Sequence, residues 1–299
     1  MKIKYSEGVL RAQKLNSPIL ALESTIISHG MPFPDNLEFA KKAELLCRDS
    51  GVEPATIAVL DGVVCVGLSE NQLNKISRSD NIKKVSKGAL GVALARGWSG
   101  ATTVSSTAHI AHIANISVFA TGGIGGVHRG AEETFDISQD LTTLSQTPII
   151  VVSAGAKSIL DISRTVEALE TLGITTLGYK TKEFPAFFSR ESGVFGPSQV
   201  NSEKEIVSVF NKNMELGLSS AVLVTNPIPA DNEIPKNKMD LFIEDAYGEM
   251  YKKSISGKEV TPFLLKYIVE KSQGESLEAN IALALNNVGL GVKIAKKIV

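Results

Sequence analysis

Cysteine is scarce in this chain. Two cysteines occur among 299 residues, and neither belongs to a CxxC pair or lies at a metal-ligand spacing from a histidine. This count excludes a disulfide framework. Cys47 falls in a helical pattern and Cys65 in an apolar strand-like run. We therefore expect both to be packing residues of a protein from a reducing compartment.

An excess of charge and long apolar runs are also missing. Lys plus Arg number 31 and Asp plus Glu number 32, so no basic surface argues for nucleic acid or an anionic membrane. The N-terminal segment MKIKYSEGVLRAQK has no apolar core of signal-peptide length, and no run of about eighteen apolar residues occurs. We expect a cytoplasmic protein with small-molecule partners and no binding to nucleic acid or membrane.

Short apolar segments alternate with helical patterns along the whole chain. This rhythm predicts an α/β fold, a three-layer α/β/α sandwich with a mixed, largely crossover-connected sheet. The apolar content of 43% is ample for a core, and no internal repeat or Pro- and Ser-rich linker divides the chain. We therefore predict a single domain over residues 1–299. The irregular stretch 184–199 is interpreted as a long lid.

Local patterns also predict where individual elements begin. Residues 1–17 are interpreted as helical or loosely ordered, and 100–106 as a strand that precedes a helix over 107–115. An amphipathic helix is predicted to begin at Lys157. Thr261 is predicted as an N-cap because a proline follows it.

The most unusual stretch is GGIGGVHRGAEETFDISQD, residues 122–140, between two apolar strands. Glycines let backbone N–H groups approach a phosphate closely, and Asp136, Ser138 and Asp140 offer oxygen ligands to a hard divalent cation. The alternative is a long surface loop with a salt-bridged rim. The spacing excludes a dinucleotide fingerprint, because His128 stands where its last glycine belongs.

Two further side chains stand at predicted strand ends. Glu23 follows strand 18–22 and could donate a proton if burial raises its pKa, or could simply be satisfied by neighbouring hydroxyl and N–H groups. Lys157 lies in AGAKS, which lacks the glycines of a phosphate-binding Walker motif. A helix start in an apolar setting would favour a neutral, nucleophilic amine there, although a surface lysine is the alternative.

Several other polar residues have competing interpretations. His109 and His112 could face one side of a helix, but without a third ligand a surface or interface position is favoured over a zinc site. Four asparagines could orient a polar ligand or serve as caps and turns: Asn226, Asn280, Asn286 and Asn287.

Eight motifs resemble the pseudouridine-5'-phosphate glycosidase family, also called pseudouridylate synthases. They are ALESTIISHGMPFP (21–34), PATIAVLDG (54–62), GATTVSST (100–107), FATGGIGGVHRGAEETFDIS (119–138), AGAKSILD (154–161), FPAFF (184–188), NPIP (226–229) and TPFLL (261–265). The resemblance covers about residues 15–298. It implies reversible cleavage of pseudouridine 5'-phosphate to ribose 5-phosphate and uracil, with a divalent metal, typically Mn²⁺, in a homotrimer.

The resemblance also implies roles for individual residues. Lys157 would be the nucleophile, Glu23 the proton donor and Asp136 the metal ligand. Five residues would contact the substrate: Lys84, Val104, Ser138, Gln139 and Asp140. His128 and Arg129 are our own hypotheses for binding the 5'-phosphate. The alternatives are an imine-forming aldolase acting on another sugar phosphate and a non-catalytic sugar-phosphate-binding protein.

Overall fold

The structure is a computed structural model that describes residues 3–79, 81–255, 257 and 260–298. Eleven strands belong to one sheet in this part of the chain. They are β1 (Ile3–Tyr5), β2 (Ile19–Leu22), β3 (Glu53–Leu60), β4 (Val63–Val66), β5 (Lys83–Val85), β6 (Gly100–Thr102), β7 (Val118–Ala120), β8 (Ile150–Ser153), β9 (Thr175–Tyr179), β10 (Ser198–Val200) and β11 (Val222–Thr225).

The helices between the strands supply the outer layers. They are α1 (Glu7–Lys14), α2 (Thr25–His29), α3 (Asp35–Asp49), α4 (Glu70–Arg78), α5 (Leu90–Ala95), α6 (Val104–Ile113), α7 (Ala131–Thr134), α8 (Gln139–Leu144), α9 (Ile162–Thr171), α10 (Glu203–Glu215), α11 (Lys236–Lys252), α12 (Val260–Lys271) and α13 (Glu275–Ile298). Short 3₁₀ turns occupy Lys87–Ala89 and Ala230–Asn232.

The sheet is mixed and mostly parallel, as predicted. Its strands run in the order β1-β4-β3-β2-β7-β8-β11-β9-β10, and β6 joins β3 to β5. Among the described strands, the antiparallel pairs are β3–β4 and β3–β6. The β3–β4 hairpin turns at Asp61 and Gly62, whose φ angles of 51° and 76° suit a tight hairpin turn. The pair is therefore a β-hairpin.

Four neighbouring parallel strands position the polar residues of interest. Strands β2, β7, β8 and β11 are adjacent and end at the same edge, with Leu22 beside Ala120 and Ala120 beside Val152. The residues that follow the strand ends, Glu23 and Thr121 among them, therefore meet at one edge of the sheet. Ligand sites of α/β folds lie at this carboxyl edge.

Helices cover this part of the sheet with apolar side chains. α13 contacts β2, β7 and β8, and it also packs against α3 and α10. α6 contacts β2, β3 and β7 and packs against α8. Buried residues such as Phe119, Leu283 and Ile294 make one core of this region, and removing their apolar area from water is the main stabilising term.

Two predicted element starts are wrong, each because a tertiary contact overrides the local pattern. The predicted strand 100–106 ends at Thr102, and α6 begins at Val104, where the Asp140 carboxylate accepts a hydrogen bond from the first-turn N–H of Ser105. The predicted helix at Lys157 begins only at Ile162. Residues 156–160 instead bridge to the glycine-rich loop at 124–128.

Three further local predictions are corrected. Strand β1 lies within the segment interpreted as helical or loosely ordered, where it pairs with β4. Within the predicted lid, Phe184, Phe187 and Phe188 are at most 2% exposed and belong to the packed interior. Thr261 is the second residue of α12, which begins at Val260.

Several side chains have identifiable structural roles. Ser69 and Gln72 form a reciprocal capping box at the start of α4. Cys47 and Cys65 are buried free thiols, consistent with packing roles. Among the described residues, no helix is both long and apolar enough to cross a bilayer.

Candidate active site

Glu23 and Lys157 line the same cavity, of about 440 Å³, which we call the front cavity. Glu23 comes directly after β2, and Lys157 follows β8, two strands further along the sheet. The other lining residues are Thr25, Ile26, His29, Gly30, Lys84, Gly122, Gly123, Phe187, Thr261, Pro262, Leu265 and Asn280. An acid, two lysines and an apolar wall thus converge on one hollow.

The carboxyl group of Glu23 is set up to hold a proton near neutral pH. Glu23 is 6% exposed, and its burial raises the pKa from 4.5 to about 6. The charge of Lys157 and a hydrogen bond from the Thr121 hydroxyl oppose this increase in pKa, and Asp140 adds to it. A carboxyl group with such a pKa can act as a general acid.

Lys157 lies in a turn tied to the glycine-rich loop. Its backbone N–H donates to the carbonyl of Ile124 (3.1 Å), and its carbonyl accepts from Leu160 (2.9 Å). Asp161 is the N-cap of α9, so Lys157 stands before the helix and outside the first turn, where the dipole acts. The helix-dipole part of the expectation for this amine is therefore wrong.

Lys84 brings a second cation to the front cavity. It is the central residue of β5 and pairs with Ala101 of β6. Electrostatic effects of both Lys84 and Lys157 reach Glu23 and His128. Two lysine side chains around one hollow suit an anionic ligand such as a phosphate ester.

The glycine-rich loop is held in place by Asp140. One carboxylate oxygen accepts from the N–H of Gly125 (2.8 Å), and the other accepts from Ser105 (2.9 Å). The hydroxyl of Ser138 accepts from the N–H of Asp140 (3.2 Å) and caps α8. A β-carbon at Gly125 would lie 2.3 Å from the Ser138 oxygen, so the close approach requires glycine. Ser138 and Asp140, which were both predicted to contact the substrate, thus shape the loop.

The remaining predicted substrate contacts lie close to this loop. The Gln139 side-chain oxygen accepts from the N–H of Gly88 (3.1 Å). Val104 is 1% exposed and is the first residue of α6, where a helix leaves backbone N–H groups without intrahelical partners. Any ligand contact of Val104 would use this backbone. The substrate-contact roles of both residues remain predictions.

Asp136 and His128 lie next to each other. The Nδ1 atom of His128 is 3.9 Å from an Asp136 carboxylate oxygen, and the His128 N–H donates to the Asp136 carbonyl (3.0 Å). Burial lowers the pKa of His128, and the nearby lysines lower it further against the opposing effect of Asp136. The lowered pKa favours the neutral imidazole, and the phosphate-binding role of His128 remains a prediction.

The residues around Asp136 fit a loosely held metal rather than a metal cage. Within the described ranges, no group of three or more His, Cys, Asp or Glu residues could hold an ion. The Asp136 side chain is 39% exposed, and the buried Nδ1 of His128 has no hydrogen-bond partner among the described residues. One carboxylate with room for water suits the hydrated octahedral ions Mg²⁺ and Mn²⁺.

Arg129 is turned away from the front cavity. Its guanidinium lies 5.6 Å from the centre of the Tyr247 ring. It lines a separate cavity of about 810 Å³ together with Ser158 and Asp161. His128 and Arg129, which were both proposed to bind the phosphate, therefore lie in different surroundings. The structure does not bring Arg129 to Glu23 and Lys157.

The two histidines of α6 were interpreted as surface or interface residues. His109 is half-buried and His112 is exposed. Burial lowers the pKa of His109, as expected for an imidazole that is partly removed from water. Neither belongs to a metal-binding group in the described part of the chain.

Two residues of the site were missed at the sequence level. Thr121 bonds to Glu23, and Phe187 forms a wall of the front cavity. Asn280, one of the four asparagines considered as possible ligand contacts, also lines this cavity, and its buried side-chain oxygen has no hydrogen-bond partner among the described residues. Thr121 follows β7 as Glu23 follows β2, so the strand-end rule could have found it. The position of Asn280 in the front cavity depends on how α13 packs, and the local sequence does not indicate this packing.

Comparison with known proteins identifies the family. The sequence profile described as "Indigoidine synthase A like protein" matches residues 8–297. A protein named pseudouridine-5'-phosphate glycosidase from Petrotoga mobilis is 51% identical, over 99% of this chain and 96% of that protein. Another of the same name, from Caldanaerobacter subterraneus subsp. tengcongensis, is 48% identical, over 98% of this chain and 95% of that protein. The chain belongs to the indigoidine synthase A like family, and the resemblance to pseudouridine-5'-phosphate glycosidases is confirmed.

Two solved structures share the fold. An indigoidine synthase A like protein from Thermotoga maritima matches with a TM-score of 0.89 and 37% identity, over 99% of this chain and 96% of the other. A prealnumycin C-glycosynthase in complex with ribulose 5-phosphate matches with a TM-score of 0.91 and 33% identity, again over 99% and 96%. The predicted fold class is confirmed by both.

Proposed function

We propose that this chain reversibly cleaves the C–C glycosidic bond of pseudouridine 5'-phosphate to give ribose 5-phosphate and uracil. The observation that carries the proposal is the front cavity, where a buried acid with a pKa of about 6 meets a lysine. Relatives that cover nearly the whole chain are named for this activity. A structural neighbour named as a C-glycosynthase binds a related pentose phosphate.

The bond to be broken explains the choice of residues. The uracil carbon attached to the sugar has no lone pair to protonate, so an acid alone cannot release the base. In the proposed reaction Glu23 protonates the ribose ring oxygen, while the amine of Lys157 forms a bond to C1' and the C1'–O bond breaks. The sugar is then open and attached to the lysine through a secondary amine.

The lysine nitrogen next supplies electrons for the cleavage. Its lone pair forms the C=N bond as the C1'–C5 bond breaks, and C5 of uracil takes up a proton. Water adds to the resulting iminium and releases ribose 5-phosphate with the free amine of Lys157. The sum is one water consumed per glycosidic bond broken.

The anionic end of the substrate is assigned to the cations and N–H groups around the front cavity. Lys84 is the cation that supports this assignment, because it lines the cavity beside Lys157. The N–H of Val104, the first residue of α6, is an additional donor, whereas the next N–H, that of Ser105, is already bonded to Asp140.

A divalent metal, Mn²⁺ by our expectation, would be held by Asp136 and several waters. It would supply electrostatic orientation of the substrate or its surrounding water. The neighbouring His128 Nδ1 would stay neutral and accept a hydrogen bond from such a water. We also keep a homotrimer and a cytoplasmic location as parts of the proposal.

The proposal is tested by replacing the nucleophile. Lys157→Ala should abolish uracil release from pseudouridine 5'-phosphate while leaving the circular dichroism spectrum unchanged. Lys182→Ala is the matched control, because this lysine is exposed and lies outside the front cavity. Full turnover by Lys157→Ala would reject the mechanism. Turnover of another sugar phosphate without any uracil chemistry would instead favour the imine-forming aldolase.

A further inference from the structure

Thr121 holds the carboxyl group of Glu23 but is not among the described residues that line the front cavity. The Thr121 hydroxyl donates a hydrogen bond to Oε1 of Glu23. One oxygen of the carboxyl group, Oε1, is thereby engaged.

The surroundings of this hydrogen bond are apolar. Glu23 and Thr121 both line a second cavity of about 350 Å³, the rear cavity, whose walls include Phe39, Ala43 and Val288. The described lining of the front cavity includes Glu23 but not Thr121. An acidic oxygen facing such walls without a partner would be costly, so the hydroxyl has a strong effect on how the carboxyl group sits.

The backbone of Thr121 is itself fixed by buried amides. The side chain of Asn287, on α13, donates to the carbonyl oxygens of Thr121 (2.8 Å) and Gly122 (3.2 Å). Asn226, after β11, donates in turn to the side-chain oxygen of Asn287 (3.0 Å). Asn287 is fully buried, and Asn226 is 6% exposed. The chain of contacts joins two strand ends to the helix above them.

We infer that Thr121 is a positioning residue for the acid, and that Asn287 and Asn226 hold Thr121 in place. By occupying Oε1, Thr121 directs the transferable proton to Oε2. The inference rests on the proposed role of Glu23 as proton donor. Thr121 does not contact the front cavity, so its effect on turnover must pass through Glu23.

The hydrogen bond also favours the charged carboxylate that remains after proton transfer. The charged groups that act on Glu23 are Lys157, Asp140 and Lys84. None of them changes when the Thr121 hydroxyl is removed. Loss of that hydroxyl should therefore raise the pKa of Glu23, and the acid should remain protonated to higher pH.

The test compares Thr121→Val with Thr121→Ser by measuring uracil release from pseudouridine 5'-phosphate across pH. Thr121→Val keeps the shape of the side chain but loses the hydroxyl. In this variant the alkaline limb of the kcat/KM profile should move to higher pH. Its kcat should fall by about ten-fold, because part of the general-acid contribution is lost. KM should stay unchanged, because Thr121 is not among the described residues that line the front cavity. Thr121→Ser should restore both the limb and kcat.

Controls separate this inference from the role of Glu23 itself. If Glu23→Gln keeps full turnover, the proposed acid is wrong. If Glu23→Gln is inactive while Thr121→Val has the limb and kcat of the wild type, the acid stands and the positioning role is overturned. Should Thr121→Val fold poorly, Thr121→Ala removes the same hydroxyl without adding a methyl group and must show the same shift.

The role of Asn287 is tested with a matched pair of variants. Asn287→Ala should lower kcat, whereas Asn286→Ala should not. Asn286 lies on the same helix and donates to the carbonyl of Pro227 (3.1 Å), away from Thr121. Equal losses in the two variants would overturn the role of Asn287.

Discussion

The backbone N–H of Lys157 donates a hydrogen bond to the carbonyl of Ile124, which joins the proposed nucleophile to the glycine-rich loop. The same loop is joined to α6 through the carboxylate of Asp140. The position of the lysine thus depends on a loop that is held by one buried carboxylate. This dependence gives the first prediction.

Asp140→Asn should destabilise the protein by about 1–3 kcal/mol, because an amide can offer only one acceptor oxygen to two buried N–H donors. Urea unfolding followed by circular dichroism measures the change in free energy of unfolding. Asp161→Asn is the control, since Asp161 caps α9 with a single oxygen and asparagine caps equally well. Equal stability of Asp140→Asn and the wild type would contradict the structural role of Asp140.

The raised pKa of Glu23 predicts a pH dependence of stability. In the folded protein its pKa is about 6, against an ordinary 4.5. The stabilising effect of the bound proton is therefore complete below pH 4.5 and is lost as the pH rises through 6. Relative to Glu23→Gln, the wild type should lose about 2 kcal/mol of unfolding free energy over this window. Parallel profiles for the two proteins would argue against a desolvated acid.

The same pKa predicts how activity depends on pH. A general acid works while protonated, so kcat/KM should decline as the pH rises above about 6. Initial rates of uracil release across pH, with pseudouridine 5'-phosphate well below its KM, give this profile. A rate that keeps rising through pH 8 would show that the protonated form of Glu23 is not required.

Lys84 is predicted to bind the phosphate of the substrate. Lys84→Gln should raise the KM for pseudouridine 5'-phosphate by about ten- to a hundred-fold, as expected for a hydrogen bond to a charged group. Lys83→Gln is the control, because Lys83 is the exposed neighbour on the same strand. If both variants have the KM of the wild type, another group binds the phosphate.

Asp136 is predicted to bind the metal. Asp136→Asn should weaken Mn²⁺ binding by at least about ten-fold, measured from the electron paramagnetic resonance signal of free Mn²⁺. Glu133→Gln removes an exposed carboxylate from the same loop and should leave the affinity unchanged. Unaltered binding by Asp136→Asn would move the metal site elsewhere.

The sequence was sufficient for the fold class and for the two residues at the centre of the site. The strand pattern predicted that Glu23 follows a buried strand, and the motif resemblance assigned Lys157 to the same reaction. The start of α9 could not be predicted, because Ile159 continues the apolar helical spacing while its neighbours pair with a distant loop. Local sequence patterns do not reveal such tertiary contacts.

The residues that support Glu23 show the same limit. Thr121 follows a strand and was within reach of the strand-end rule. Asn287 was recognised as a possible ligand or cap, yet its contact with Thr121 depends on the packing of α13 across β7. The different neighbours of His128 and Arg129 likewise follow from the fold of the loop, and their adjacent positions in the sequence did not indicate this difference.

The central claim is that Lys157 forms a covalent bond to the sugar in the cavity it shares with Glu23. The direct measurement is borohydride reduction of the protein incubated with ribose 5-phosphate and Mn²⁺, followed by peptide mass spectrometry. We predict a reduced pentose phosphate adduct on Lys157 that is absent from Lys157→Ala. An unmodified Lys157 in a preparation that turns over pseudouridine 5'-phosphate would contradict the account.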